Sequence, residues 1–261
     1  MRRPLNIVIP AAGLGSRFSI EGFDVPKPLI PILGIPMILW VIGNLELEKG
    51  DVITIVTRSE HKLDETLKNF LLNFKNQVKY VYLEEVTEGA AITVGHATRS
   101  LDSENPLIVI NSDQYIPNGL KLFTEQIRVS ESDCGSILTM TANSNKWSYV
   151  GRDSSGQVSK VVEKIQISSE ATVGVYGWTK TKLYNESLKL MIDDNFRVND
   201  EFYVAPTYNY LIRMGYKILT LNIGSVSDSV WGLGTPSDLN EFCLNSRLNE
   251  MRDSVISCLQ L

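Results

Sequence analysis

Residues 5–17 of the chain read LNIVIPAAGLGSR. The apolar run Leu5–Pro10 has the length of a buried strand and passes directly into small residues and two glycines. Glycine lets a backbone turn sharply and approach a ligand closely, and successive N–H groups in such a turn can form an anion-binding nest. Arg17 adds guanidinium donors that suit phosphate oxygens. The stretch therefore predicts a strand followed by a phosphate-binding loop formed by Ala11, Ala12, Gly13, Gly15 and Ser16.

This loop differs from the two common glycine-rich phosphate loops. No Gly-Lys-Ser/Thr follows it, and Phe18 stands where a G-x-G-x-x-G pattern would have its third glycine. Ten residues further on, Lys27 lies between two prolines, which fix the backbone on both sides of it. A rigidly presented ammonium after a glycine loop suits the neutralisation of polyphosphate charge in a transition state. We therefore predict Arg17 and Lys27 as catalytic residues.

The elements around this loop predict an α/β fold. Apolar runs of strand length alternate with stretches of helical period through the first half of the chain, which is typical of a doubly wound, mostly parallel, Rossmann-like sheet. After about residue 133, strand-like runs follow one another closely and predict a small added β portion. Predicted strands are Leu5–Pro10, Val52–Thr57, Val78–Leu83, Leu107–Asn111, Ser136–Thr141, Ser148–Arg152, Val158–Lys164, Val173–Trp178 and Lys217–Ile223; predicted helices are Ile38–Leu47, Lys62–Phe74, Ala90–Arg99, Lys180–Asp194, Pro206–Met214 and Thr235–Asn249, with a helical tail.

The absence of a Pro/Gly/Ser-rich linker predicts one domain over residues 1–261. Within it we expect a nucleotide-binding half over about 1–133 and an acceptor-binding half over about 134–261. Asp113 follows the strand Leu107–Asn111, and ligands of open parallel sheets bind at the carboxyl ends of strands. A hard carboxylate there suits Mg²⁺ bound to a triphosphate. We therefore predict Asp113 as a metal ligand and Gln114 and Tyr115 on the acceptor side.

Glu88 and Gly89 precede the predicted helix Ala90–Arg99. The small residues there permit the close approach of a nucleobase or ribose, although an acidic first turn is also an ordinary helix start. We predict that Glu88 and Gly89 contact the nucleotide.

Charge and composition exclude several other classes. The formal net charge of −5 argues against a general nucleic-acid or anionic-membrane binder. The chain has three cysteines without a C-x-x-C pair and only two histidines, His61 and His96, so a disulfide framework or a zinc cluster is not expected. No segment approaches the roughly 20 apolar residues that span a bilayer, and nothing marks export. We therefore expect a cytoplasmic protein with no membrane partner, and the sequence leaves a homo-oligomer open.

Three motifs together resemble the N-terminal signature of the nucleotidyltransferase family: A-A-G-x-G-S-R, then P-K-P-L, then G-x-P-M-I. Later motifs extend the resemblance along most of the chain and are similar to a branch found in bacterial capsule and surface-polysaccharide loci. They are D-Q, W-S-Y-V, E-K, N-x-E-F-Y-x-x-P and G-T-P-x-D-L. The resemblance implies the Mg²⁺-dependent transfer of a nucleoside monophosphate from an NTP to a small phosphorylated acceptor, with a sugar phosphate as the expected acceptor. It implies acceptor contacts for Glu163, Lys164, Gly174 and Glu201.

One position departs from the family pattern. Many members carry a second metal-binding aspartate in a D-x-G-T-P stretch, where this chain has Gly232. We expect Asp228, four residues earlier, to supply a carboxylate from a shifted loop, with a solvated position as the alternative. Two other functions stay open. One is a catalytically silent nucleotide- or sugar-binding regulatory subunit on the same fold. The other is a glycosyltransferase that uses an NDP-sugar donor, although the segment 111–113 lacks the first carboxylate of a D-x-D motif.

Overall fold

The structure is a computed structural model that describes residues 2–74, 77–117, 120–226 and 228–260. Its strands are β1 (Asn6–Pro10), β2 (Pro31–Ile32), β3 (Ile35–Pro36), β4 (Val52–Arg58), β5 (Val78–Leu83), β6 (Leu107–Ile110), β7 (Gln114–Tyr115), β8 (Cys134–Thr141), β9 (Ser148–Arg152), β10 (Val158–Glu163), β11 (Glu170–Trp178), β12 (Lys217–Ser225) and β13 (Trp231–Gly232). Its α-helices are α1 (Ser16–Ile20), α2 (Met37–Ile42), α3 (Leu63–Leu67), α4 (Ala90–Thr98), α5 (Leu120–Val129), α6 (Thr181–Asp193), α7 (Thr207–Arg213), α8 (Pro236–Cys243) and α9 (Leu248–Leu259). Short 3₁₀ turns span Lys27–Leu29, Ser59–His61 and Leu72–Phe74.

The central sheet confirms the predicted α/β fold. Its main path runs β10-β9-β11-β6-β1-β4-β5, and β8 joins β11 to β12. Strands β6, β1, β4 and β5 are parallel, whereas β11 runs antiparallel to β6 and opens the added β portion. Because β6 pairs with β11, the two predicted halves of the chain share one sheet.

Helices cover both faces of this sheet, as parallel strands require. Along β1, Ile7 and Ile9 pack into one apolar layer and Val8 into the other, because successive side chains alternate across a sheet. Trp40 of α2 belongs to the first layer, and Tyr184 of α6 belongs to the second. With both faces buried, the carboxyl ends of β1 and β6 are held rigidly, and these ends carry the glycine loop and Asp113.

Several helix boundaries differ from the predicted ones. Helix α2 stops before Gly43, where a Cβ would lie 2.8 Å from the Val255 side chain, so α9 packs directly on this turn. The predicted helix Thr235–Asn249 is two helices, because the Asn245 side chain accepts the Arg247 N–H at 2.8 Å and forms a turn between them. Among the described helices, none is long and apolar enough to cross a membrane.

The stretch Lys62–Phe74 and the segment after residue 117 also differ. Within Lys62–Phe74, only α3 and a 3₁₀ turn form. The stretch keeps its apolar residues at helical spacing, but it also contains Asn69 and Asn73, which favour turns over helix. Helix α5 was not predicted, although Leu120, Phe123 and Ile127 recur at helical spacing and are buried.

Candidate active site

One cleft of about 960 Å³ lies at the carboxyl ends of β1 and β6 and extends over β10 and β11. The residues predicted from sequence that line it are Ala11, Ala12, Gly13, Gly15, Ser16, Arg17, Lys27, Gly89, Asp113, Gln114, Glu163, Lys164, Gly174 and Glu201. Of the predicted residues, Glu88, Tyr115 and Asp228 are not among those that line it.

The glycine loop connects β1 to α1 along one edge of the cleft. Gly15 has a φ of +63°, in the left-handed region, and a Cβ there would lie 3.0 Å from the Lys27 Cβ. The loop therefore turns through Gly15 and packs directly on Lys27. At Gly13 an added Cβ would meet no heavy atom within 4 Å, so the backbone there faces open space. Arg17 is exposed on the first turn of α1, and no described residue donates or accepts a hydrogen bond with its guanidinium.

Lys27 and Asp113 form the charged centre of this end of the cleft. The Lys27 ammonium donates a hydrogen bond to Asp113 Oδ2, and each side chain is about one fifth exposed. The Asp113 carbonyl accepts the Leu233 N–H at 2.8 Å, which brings the segment 232–234 alongside. At Gly234 an added Cβ would lie 2.8 Å from Asp113 Oδ2 and 3.9 Å from Lys27 Nζ. The glycine therefore leaves space beside the carboxylate that a side chain would fill.

This arrangement fits a Mg²⁺ ion that arrives with a triphosphate. Such an ion needs one or two protein carboxylates and takes its other ligands from phosphates and water. Asp113 supplies a carboxylate, and Gly234 keeps the space beside it open. Within the described ranges, no three His, Cys, Asp or Glu side chains are grouped so as to hold a metal without such a ligand.

Asp228, the other predicted metal ligand, is exposed. Its Oδ2 accepts a hydrogen bond from the neighbouring Ser229 hydroxyl at 3.4 Å. Asp113 lines the cleft, whereas Asp228 is not among the residues that line it.

The acceptor end of the cleft contains Glu163 and Lys164 at the end of β10. Glu163 is buried and accepts a hydrogen bond from the Ser148 hydroxyl. Burial raises the pKa of Glu163 and the charge of Glu201 adds to the rise, whereas the Ser148 bond and the Lys164 charge oppose it. Lys164 has a φ of +58°, donates to the Tyr203 hydroxyl and lies 4.4 Å from the Tyr203 ring centroid.

Gly174 and Gln114 form the floor between the two ends. Gly174 has a φ of +74°, and a Cβ there would lie 2.5 Å from both Asn111 Nδ2 and Gln114 Oε1. Gln114 is only 7% exposed, and its Oε1 has no hydrogen-bond partner among the described residues. Tyr115, which was expected beside it on the acceptor side, is buried in the core against Trp40 instead.

The Glu88 side chain is not among those that line the cleft, but the Glu88 backbone is bonded to the neighbouring loop. The Glu88 carboxylate accepts a hydrogen bond from Arg197, and its carbonyl accepts the Phe202 N–H at 2.8 Å. Gly89 has a φ of +135°, and a Cβ there would lie 2.5 Å from the Phe202 carbonyl oxygen. Only glycine fits this close backbone approach, which joins the loop before α4 to the loop after α6.

Sequence reasoning missed the wall opposite the glycine loop. Lys146 and Trp147, from the β8–β9 connection, line the cleft, and Lys146 donates to Asp238 Oδ1 at 2.9 Å. Asp238 lies in the first turn of α8, and its backbone N–H donates to the Thr235 hydroxyl at 3.1 Å. The W-S-Y-V and G-T-P-x-D-L motifs marked both segments, but no pattern within either one showed that they meet.

The fold is an α/β sheet with a cleft, lined by charged side chains, at the carboxyl ends of its parallel strands. The chain belongs to the nucleotidyl transferase family, whose model matches residues 6–217. It is 28% identical over 255 residues to the bifunctional protein GlmU of Caldanaerobacter subterraneus, covering 93% of this chain and 52% of that protein.

A second relative and a solved structure are also similar to the chain. The chain is 26% identical over 180 residues to mannose-1-phosphate guanylyltransferase 1 of Arabidopsis thaliana, covering 66% of this chain and 49% of that protein. It therefore spans about half the length of the curated relatives it matches. A crystal structure of a nucleoside-diphosphate-sugar pyrophosphorylase from Vibrio cholerae has the same fold, with a TM-score of 0.77, 22% identity, and coverage of 92% of this chain and all of that one.

Proposed function

We propose that this protein transfers a nucleoside monophosphate from an NTP to a small phosphorylated acceptor, a sugar phosphate, with Mg²⁺ as cofactor. The products are an NDP-sugar and pyrophosphate. The observation that carries the proposal is the placing of two charged groups at opposite ends of one cleft. Lys27 and Asp113 lie beside the glycine loop, and Glu163 and Lys164 lie across the Gly174 floor from them.

The chemistry needs no protein nucleophile. A phosphate oxygen of the acceptor, already an anion at neutral pH, attacks the α-phosphorus of the NTP. A new P–O bond forms as the bond between the α-phosphorus and its bridging oxygen to the β-phosphate breaks, and pyrophosphate leaves with that electron pair. The protein has only to align the two phosphates and stabilise the charge that moves between them.

Each end of the cleft has a part in this alignment. The glycine-loop N–H groups and Arg17 bind the triphosphate, and the Lys27 ammonium stabilises charge on it. At the other end, the Lys164 ammonium attracts the acceptor phosphate and Glu163 accepts hydrogen bonds from acceptor hydroxyls. Asp113 would hold Mg²⁺ together with the triphosphate, and the bound ion would supply positive charge to the phosphate oxygens.

Two observations support the proposal that the acceptor is a sugar phosphate. One is the chemistry of the acceptor end of the cleft, and the other is the similarity to a mannose-1-phosphate guanylyltransferase. A buried carboxylate and an amide oxygen without a partner, Glu163 and Gln114, suit a ligand with several hydroxyl donors. The resemblance to enzymes of bacterial capsule loci makes surface-polysaccharide synthesis the role that we propose.

Two alternatives make different predictions. A silent regulatory subunit would bind nucleotide without turnover, although the intact set of Arg17, Lys27 and Asp113 argues for catalysis. A glycosyltransferase would consume an NDP-sugar and release no pyrophosphate.

The deciding experiment is a matrix of the common NTPs against hexose 1-phosphates, other sugar phosphates and simple alkyl phosphates, with Mg²⁺ present. Pyrophosphate release is measured by a coupled enzymatic assay, and the nucleotide product is identified by mass spectrometry. We expect release that depends on both substrates, with the nucleotide joined to the acceptor phosphate. Binding of NTP without any release across the matrix would support the silent subunit, and release of NDP from an NDP-sugar would support the glycosyltransferase.

A further inference from the structure

We propose that Asp238, in the first turn of α8, is the second protein carboxylate for the metal ion, opposite Asp113. This inference rests on the proposed function. It assigns a ligand role to a side chain that otherwise would only cap a helix.

The two carboxylates lie at the two ends of one short segment. A Cβ added at Gly234 would lie 2.8 Å from Asp113 Oδ2. A Cβ added at Gly232 would lie 3.8 Å from the carboxyl carbon of Asp238. Because two residues of extended chain span at most about 7 Å, the segment holds both carboxylates near the same part of the cleft.

The other acids that line the cleft are placed for the acceptor. Glu163 is buried against Ser148, and Glu201 lies beside it on the loop before α7. Of the carboxylates that line the cleft, Asp113 and Asp238 are the two that flank the segment 232–234.

In the part of the chain that the structure describes, a buried polar atom without a partner lies on the strand that pairs with Gly232. Gln114 pairs with Gly232 across the antiparallel strands β7 and β13, so its side chain projects from the same face of this ribbon as the Cβ direction of Gly232. Gln114 is more than nine-tenths buried and lines the cleft, yet its Oε1 has no hydrogen-bond partner among the described residues. This unpaired buried oxygen, which would lie 2.5 Å from a Cβ added at Gly174, is available to a cation or to a donor from a bound ligand.

A lysine ammonium holds each carboxylate in the structure. Lys27 donates to Asp113, and Lys146 donates to Asp238 at 2.9 Å. Both carboxylates thus accept a cation in this geometry. Lys146 is about half exposed and lies 5.2 Å from the Trp147 ring centroid, so it can withdraw to the cleft rim when a divalent ion arrives.

Gly232 provides a direct test, because a side chain there would point to the Asp238 carboxylate. An added Cβ would meet its nearest atoms at 3.7–3.9 Å, which is ordinary van der Waals contact. An aspartate at position 232 therefore fits and would bring a carboxylate to the same place. Asp238→Asn keeps an oxygen that can accept the Thr235 hydroxyl, so the start of α8 is preserved.

The experiment measures the binding of Mn²⁺ in the presence of inorganic tripolyphosphate, which needs no choice of nucleobase. Free Mn²⁺ is followed by electron paramagnetic resonance, after thermal unfolding has shown that each variant is folded. We expect Asp238→Asn to weaken Mn²⁺ binding at least tenfold, and the double variant Gly232→Asp/Asp238→Asn to restore it to within threefold of wild type. Mn²⁺ binding by Lys146→Met should stay within threefold of wild type. The Lys146 ammonium only donates a hydrogen bond to Asp238 and is not itself a metal ligand. The matched control Asp193→Asn removes the carboxylate of an exposed ion pair with Lys189 and should have no effect.

Three results would overturn the inference. The first is wild-type Mn²⁺ binding in Asp238→Asn, together with weakened binding in Asp228→Asn if the shifted loop supplies the ligand instead. The second is an equal loss of Mn²⁺ binding in Asp238→Asn and Lys146→Met. That result would mean that the ion pair between the two residues holds the cleft wall in place and that Asp238 is not a metal ligand. The third is the failure of Gly232→Asp to restore binding. Pyrophosphate release by the wild type, measured in parallel, separates this failure from failure of the proposed function: a wild type that releases pyrophosphate while Asp238→Asn binds Mn²⁺ normally refutes the ligand role alone.

Discussion

Replacing Lys27 with methionine removes one positive charge from the centre of the cleft and little else. The side chain is about one fifth exposed, and its Cβ lies against Gly15, where an added Cβ would be 3.0 Å away. Methionine keeps this apolar stem and its packing. The prolines on both sides of Lys27 keep the 3₁₀ turn in place, so the change is confined to the ammonium.

The expected effects on catalysis and on stability differ in size. A preorganised donor that stabilises transition-state charge contributes roughly 3–4 kcal/mol, so kcat/KM should fall by about 10²–10³-fold. The ion pair with Asp113 is partly exposed to solvent, so its loss should cost only about 0–1 kcal/mol of folding free energy. A large loss of turnover in a protein of nearly unchanged Tm is therefore the expected signature.

The assay is pyrophosphate release at varied NTP and acceptor concentrations, with thermal unfolding measured on the same samples. Lys121→Met is a matched control, because it removes an ammonium from an exposed ion pair with Glu46 outside the cleft. Wild-type kcat/KM in Lys27→Met would refute the assignment of this lysine. A proportionate fall in Tm would show that the loss comes from misfolding.

Three further predictions concern the other charged groups. Arg17→Ala should lower kcat/KM by at least about 10²-fold and leave Tm unchanged, because the exposed guanidinium has no hydrogen-bond partner among the described residues. Chelation by EDTA should abolish pyrophosphate release and added Mg²⁺ should restore it in the wild type but not in Asp113→Ala; full activity in excess EDTA would contradict the metal requirement. Burial raises the pKa of Glu163 above its usual 4.5, so the wild type should lose stability as the pH rises from 4.5 through the raised pKa. The side chain in Glu163→Gln cannot ionise, so this variant should lose less stability than the wild type over the same pH range. Identical Tm profiles of the variant and the wild type from pH 4 to 8 would refute this prediction.

The fold and the chemistry-bearing loops were predictable because each depends on a local pattern. The strand that leads into Gly13 and Gly15 has an uninterrupted apolar run, and Lys27 is marked by its two prolines. The carboxyl end of β6 then places Asp113 by the general geometry of parallel sheets. These patterns need only neighbouring residues, and the structure brings them together in one cleft.

The wall formed by Lys146 and Asp238 could not be predicted in the same way. The two residues are far apart in sequence and meet only because β8 and β9 carry one loop to the start of α8. Neither loop has a period that shows which side chain faces the cleft. For the same reason Tyr115 was expected in the cleft, although its aromatic contact with Trp40 in the core decides its position.

In the reaction that we propose, the contact between Gly89 and Phe202 would help one cleft to align two substrates. The Phe202 N–H donates to the Glu88 carbonyl at 2.8 Å, and the Phe202 carbonyl accepts the Ala91 N–H at 3.0 Å. Arg197 reinforces this junction, since its guanidinium lies 4.1 Å from the Phe202 ring centroid and bonds Glu88. The loop before α4, which we propose contacts the nucleotide, is therefore joined by backbone hydrogen bonds to the loop that carries Glu201. An in-line attack requires the two phosphates to keep a fixed orientation, and a direct backbone junction provides this better than two loops that are separately mobile.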